Sequence, residues 1–174
     1  MKKISRLTRI AMLTGLSLSL FLLEGLIPLP FLAPGAKLGL ANILTALAFF
    51  LLPTAADVLV MLLLRTLLAS FFGGGPTIFL YSVSGALLSF LSMNLLLESK
   101  KFSLLGVSVA GGFMHNLGQL MVAVCVMESP GLWRYLGILG PCGIVTGGLI
   151  GLASTKILEK LPHSIKHSVA KGNM

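Results

Sequence analysis

Charge is scarce in this chain of 174 residues: 13 Lys and Arg with 5 Asp and Glu amount to 10% of it, where a soluble domain carries about 25%. A soluble fold is excluded on that ground. Asp57 is the only aspartate, so the Asp-rich motifs that hold magnesium and a diphosphate cannot be present. No Gly-x-x-x-x-Gly-Lys-Ser/Thr loop occurs, which excludes ATP hydrolysis by the P-loop route. The 2 cysteines, Cys125 and Cys142, stand without a CxxC or Cys/His partner, so neither a zinc site nor a disulfide framework is indicated. They read as small apolar fillers near the same end of two neighbouring helices, where they could approach one another. The length leaves nothing over for a soluble catalytic module. The expectation is a single membrane domain over 1–174, without an enzyme active site, metal or cofactor.

What the chain has instead is apolar length. Hydrophobic residues make up 56%, gathered into stretches at about 10–29, 37–52, 54–72, 77–97, 102–127 and 141–158, each near the ~20 residues that cross a bilayer. Lipid offers the backbone no hydrogen-bond partner, so these are expected to be helices. The predicted fold is all-α and polytopic, with six transmembrane helices. The net charge of +8 is explained by position and not by nucleic acid. Lys2, Lys3, Arg6, Arg9, Lys100, Lys101, Lys156, Lys160, Lys166 and Lys171 fall on one side, and only Lys37 and Arg134 on the other. By the positive-inside rule both termini, the basic start 1–9 and the basic tail 159–174, are cytoplasmic. Trp133 and Tyr135 then lie at the outer interface. Residues 1–36 also have the outline of a secretory signal, but Glu24 within the apolar run favours an uncleaved first span.

Pro and Gly punctuate the outer connections: Pro28, Pro30, Pro34 and Gly35, then Gly73-Gly74-Gly75-Pro76, then Pro130-Gly131 and Gly140-Pro141. Helices 2, 4 and 6 are entered through these segments with their amino termini outward. Free amides and the positive dipole end there suit anions or carbonyl oxygens, and Lys37 and Arg134 add positive field. Pro53 ends helix 2, and Thr54-x-x-Asp57 reads as a capping box for helix 3. Small residues inside the spans, among them Gly85, Ser89, Gly111, Gly112, Gly147 and Gly151, read mostly as helix-packing contacts.

Two charges lie inside the membrane, Glu24 and Arg65, and intramembrane charges are functional hypotheses by default. Similar depth makes a structural ion pair between them the first expectation, with ligand contact the second. On helix 5, His115, Asn116 and Gln119 share one face, above Gly111 and Gly112, which leave open volume beside them. This stripe serves either a ligand or hydrogen bonding between helices. Tyr81, Ser82 and Ser84 would add hydroxyls. The expected pocket residues are Lys37, Asn42, Arg65, Tyr81, His115, Asn116 and Gln119, with 28–37 and 73–76 as lids.

The stretches Pro34-Gly-Ala-Lys-Leu-Gly-Leu-Ala-Asn-Ile43, Gly74-Gly-Pro-Thr-Ile-Phe-Leu-Tyr-Ser-Val-Ser-Gly-Ala-Leu-Leu-Ser89 and His115-Asn-Leu-Gly-Gln119 resemble a bacterial family whose members are called Gx transporter or heptaprenyl diphosphate synthase component I. The family is similar in turn to the substrate-binding S components of energy-coupling factor (ECF) transporters. That resemblance implies a six-helix bundle in the bacterial cytoplasmic membrane, with an outward-facing pocket for a small molecule. It also implies a membrane coupling subunit and ATPases as partners, with Ala11-x-x-x-Gly15 of helix 1 as the contact. The expected function is the ligand-capturing subunit of an importer. The alternatives are an accessory subunit of polyprenyl diphosphate synthesis and a self-sufficient proton-coupled carrier.

Overall fold

The structure, a computed structural model, describes residues 3–26, 39–73 and 75–162. Every regular element among them is helical: α1 (Lys3–Gly25), α2 (Leu40–Leu51), α3 (Ala55–Gly73), α4 (Gly75–Ser99), α5 (Leu104–Val126), a 3-10 segment (Pro130–Tyr135) and α6 (Leu136–Lys160). Five of them, α1 and α3 to α6, are long and apolar enough to cross a membrane. Their outward surfaces carry large apolar side chains such as Leu16, Phe71, Leu95, Met121 and Leu149, all exposed. Apolar patches of that extent are rare on soluble monomers and suit lipid.

The sequence leads one to expect six full-length spans, and α2 departs from this. It has 12 residues, about 18 Å at ~1.5 Å per residue, against a hydrocarbon core of ~30 Å. The reason is local. Gly39 has φ 79°, a left-handed conformation that cannot continue a right-handed helix, so α2 begins only at Leu40. It is also sheathed by its neighbours, with Ala41 and the whole run from Thr45 to Phe50 buried. Phe49 stacks on Phe90 of α4 with ring centroids 5.6 Å apart. A helix buried on nearly every face reads as apolar all round.

α6 departs from expectation as well. Gly140-Pro141 is not a loop: the helix starts at Leu136, straight after the 3-10 segment, and Pro141 lies inside it. Proline removes one amide donor from the ladder. The Asn116 amide of α5 donates to the Leu139 carbonyl at 2.6 Å, adding a bond to the stretch that Pro141 interrupts.

Polar contacts fix the directions of the first three helices. Arg6 near the start of α1 pairs with Asp57 near the start of α3, Nη2 to Oδ1 at 2.6 Å. α1 and α3 are therefore parallel, and the chain between them must run back. α2 lies along that return: Ser17 donates to the Ala41 carbonyl at 3.0 Å and Arg9 to the Leu51 carbonyl at 3.3 Å. Thr54 opens α3 as its spacing predicts, accepting from the Asp57 amide at 3.3 Å and donating to the Asp57 carboxylate at 2.9 Å. Arg6 is the unforeseen third member of this cluster.

α4, α5 and α6 form an antiparallel sheaf held at backbone distance. A Cβ on Gly118 would lie 2.7 Å from the Ser84 carbonyl oxygen, and one on Gly85 2.6 Å from that of His115. Only glycine permits this approach, and without a hydrophobic drive in lipid such contacts supply much of the association. Ser84 adds a bond to the Gly118 carbonyl at 3.0 Å. The antiparallel order returns the end of α6 to the face of the bundle where α1 begins. Gly15 on α1 is the opposite case, since a Cβ there meets nothing within 4 Å. Gly118→Ala is therefore expected to cost ~1–3 kcal/mol through overpacking, and Gly15→Ala nothing measurable. Thermal unfolding of both variants in detergent checks this, and equal midpoints would remove the backbone-contact account.

Candidate functional site

Between the α1–α2–α3 unit and the α4–α5–α6 sheaf lies a cavity of about 20 Å³, more than one ordered water requires. α2 and α3 supply Asn42, Thr45, Leu62 and Arg65 to its wall, and α4 supplies Ala86, Ser89 and Met93. α5 contributes Ser108, Gly111, Gly112 and His115, and α6 contributes Ile150. The lining residues of α5 recur at i, i+3, i+4 and i+7, one face of a helix. The open volume expected beside Gly111 and Gly112 is taken by neighbours: a Cβ on Gly111 would sit 2.7 Å from the Met93 sulfur, and one on Gly112 would run into the Gly143 carbonyl of α6.

The lining is polar and short of partners. Arg65, Thr45 and Ser108 are 5%, 4% and 3% exposed. Arg65 Nε, Thr45 Oγ1 and Ser108 Oγ have no hydrogen-bond partner among the described residues. Buried polar groups almost always find one, and an orphaned group costs ~1–3 kcal/mol, more when charged. That three line the same cavity sets it apart from ordinary packing.

Glu24, 3% exposed, stands at the edge of this arrangement. The expectation from sequence pairs it directly with Arg65. In the structure its two carboxylate oxygens accept from the Gly39 and Leu40 amides at 2.6 and 3.1 Å, the first free amides of α2. No salt bridge joins Glu24 to Arg65. The guanidinium feels the carboxylate, and His115 in turn, only through space. A helix that begins within the bundle leaves its N–H groups without water, and a carboxylate is the strongest partner for that positive end. The expected anion site at the start of α2 is thus already filled by the protein.

The remaining expected pocket residues divide. Asn42, Arg65 and His115 line the cavity. Asn116 is turned to α6 by its bond to Leu139, the interhelical alternative for that residue. Gln119 packs where a Gly85 Cβ would be, 2.8 Å from it, and neither Gln119 nor the half-buried Tyr81 reaches the cavity wall. Lys37 and the 28–37 lid lie outside the described residues, as does Gly74, while Gly75 and Pro76 form the first turn of α4. Ala11 and Gly15 are both exposed on α1. Cys125 and Cys142 are free thiols. Thr45, Ser89 and Ser108 were missed as site residues. Their signal is spacing, Thr45 one turn past Asn42 and Ser108 two turns before His115 on the same face.

The Glu24 cap yields a direct expectation. Glu24→Ala strands two interior amides and should lower stability by ~1–3 kcal/mol, with Glu24→Gln recovering part because its amide oxygen still accepts. Unfolding followed through Trp133 fluorescence measures this, and an Ala variant as stable as the wild type would show the contact to be incidental.

No curated protein and no solved structure matches the chain significantly. A family model described as heptaprenyl diphosphate synthase component I matches residues 13–157, from the middle of α1 to the last turn of α6. The match takes in every residue of the cavity wall, and the chain belongs to the heptaprenyl diphosphate synthase component I family.

Proposed function

We propose that this protein is the membrane-embedded, non-catalytic component of a polyprenyl diphosphate synthesis assembly, a single domain that holds a small ligand in the interhelical cavity and brings a separate synthase to the membrane. One coincidence carries the reading. The family is described as a synthase component, yet the only aspartate of the chain is committed to Arg6 and Thr54. Metal–diphosphate chemistry then falls to a partner.

The charge asymmetry of the sequence puts both termini in the cytoplasm of a bacterial cell. The chain then crosses an even number of times, six if α2 and the residues before it together complete the return between α1 and α3. Lys100, Lys101, Lys156 and Lys160, all exposed, form the cytoplasmic face on which a soluble synthase would dock.

A second reading, the ligand-capturing subunit of an ECF-type importer, has its own observation. Ala11 and Gly15 lie on an open face of α1, and small residues four apart let a partner helix approach closely in lipid. A membrane coupling subunit with ATPases would be the partner. A self-sufficient proton-coupled carrier has less support, because no Asp or Glu lines the cavity.

Affinity purification of the tagged chain from bacterial membranes in mild detergent separates the readings. A soluble prenyl synthase should co-elute, and the Lys100→Glu, Lys101→Glu double variant should retain several-fold less of it. Elution of a coupling protein with an ATPase pair, without a synthase, would overturn the assembly reading in favour of the importer.

A further inference from the structure

We infer that the cavity binds one compact oxyanion, a carboxylate or phosphate monoester, with Arg65 as its counter-ion. The inference rests on the reading of this cavity as a ligand site and names the class of ligand. Arg65 is a buried cation whose Nε has no partner, and burying an uncompensated charge is strongly unfavourable. Glu24 offsets it only through space, since both its oxygens are taken by the α2 amides.

The other lining groups point to the same chemistry. Thr45 and Ser108 carry unpartnered hydroxyls, and Asn42 brings an amide that can donate. None of the lining residues is acidic. A guanidinium fork with hydroxyl and amide donors matches carboxylate or phosphate oxygens. A positively charged headgroup would meet Arg65 with nothing to balance it. Charge counting also sets the size of the anion. One guanidinium without a metal compensates a single negative charge, as a carboxylate or a singly ionised phosphate monoester carries, and a diphosphate would keep most of its charge unpaired in a water-poor site.

Such an oxyanion could arrive on an apolar tail or free in solution, and a headgroup series on one tail distinguishes these sources. The full chain is purified in an uncharged maltoside detergent, and its unfolding midpoint is followed against farnesyl monophosphate, farnesoic acid, farnesol and inorganic phosphate. Farnesyl monophosphate or farnesoic acid should raise the midpoint saturably, with farnesol inert. Stabilisation by inorganic phosphate of the same size would assign the anion to the soluble pool. Apparent affinity should fall about ten- to hundredfold in Arg65→Ala. It should fall less in the Thr45→Val, Ser108→Ala double variant, which keeps the cation and serves if Arg65→Ala does not fold. No stabilisation by any of the three anions would overturn the inference. Farnesol matching the anions, or unchanged affinity in the double variant, would do so too. Synthase retention without anion binding sinks this inference alone, and anion binding without synthase retention sinks only the assembly reading.

Discussion

The bundle depends on how the buried amino terminus of α2 is satisfied. A helix of 12 residues cannot carry its first amides to water through a hydrocarbon layer of ~30 Å, so they end inside the protein, where an unpaired N–H has no solvent to turn to. Glu24 closes that gap with both carboxylate oxygens. The carboxylate is itself tolerable in the interior because the amides and the helix dipole face it. Together with the left-handed backbone of Gly39, this contact sets where α2 starts, and therefore where Asn42 and Thr45 stand along the cavity wall. It also leaves the Arg65 guanidinium without a direct anion.

The cavity lies where two styles of packing meet. α4, α5 and α6 approach one another through glycine and carbonyl groups, a contact with few adjustable atoms. α1, α2 and α3 meet through side chains and through polar ties at their ends, Arg6 to Asp57 and Arg9 to the Leu51 carbonyl. The Arg6 tie contributes modestly, since Arg6 is half exposed and water screens it. A rigid sheaf beside a unit held by side chains puts the softer boundary at the seam. That is where a ligand larger than the present cavity could part the walls without breaking a helix ladder.

How much of this was legible in the sequence follows from the range of the interactions. The Thr54-Asp57 cap is a local pattern, three residues apart, and spacing reveals it, whereas the stripe expected on α5 divides, with His115 at the cavity, Asn116 turned to α6 and Gln119 against Gly85 of α4. Helical spans follow from apolar length because lipid leaves the backbone no other choice. The length of α2 was not legible, since Gly39 marks a helix start only through its φ, and the apolar run continues past it. Gly140-Pro141 misled for the converse reason: residues that usually break helices are carried inside α6, with Asn116 on the neighbouring helix bonding beside them. The partner of Glu24 was misassigned because depth along two helices suggests proximity but not direction. Two amides 15 and 16 residues ahead in sequence leave no trace in composition.

The fate of the acidic groups narrows what the chain can do. Asp57 is held by Arg6 and Thr54, Glu24 by the α2 amides, and Glu98 accepts from Asn94 at 2.8 Å. Glu128 and Glu159 are exposed beyond or near helix ends. None is among the residues of the cavity wall. The wall instead presents the Arg65 cation, the His115 imidazole and the unpartnered hydroxyls of Thr45 and Ser108, groups suited to holding a ligand by its oxygens.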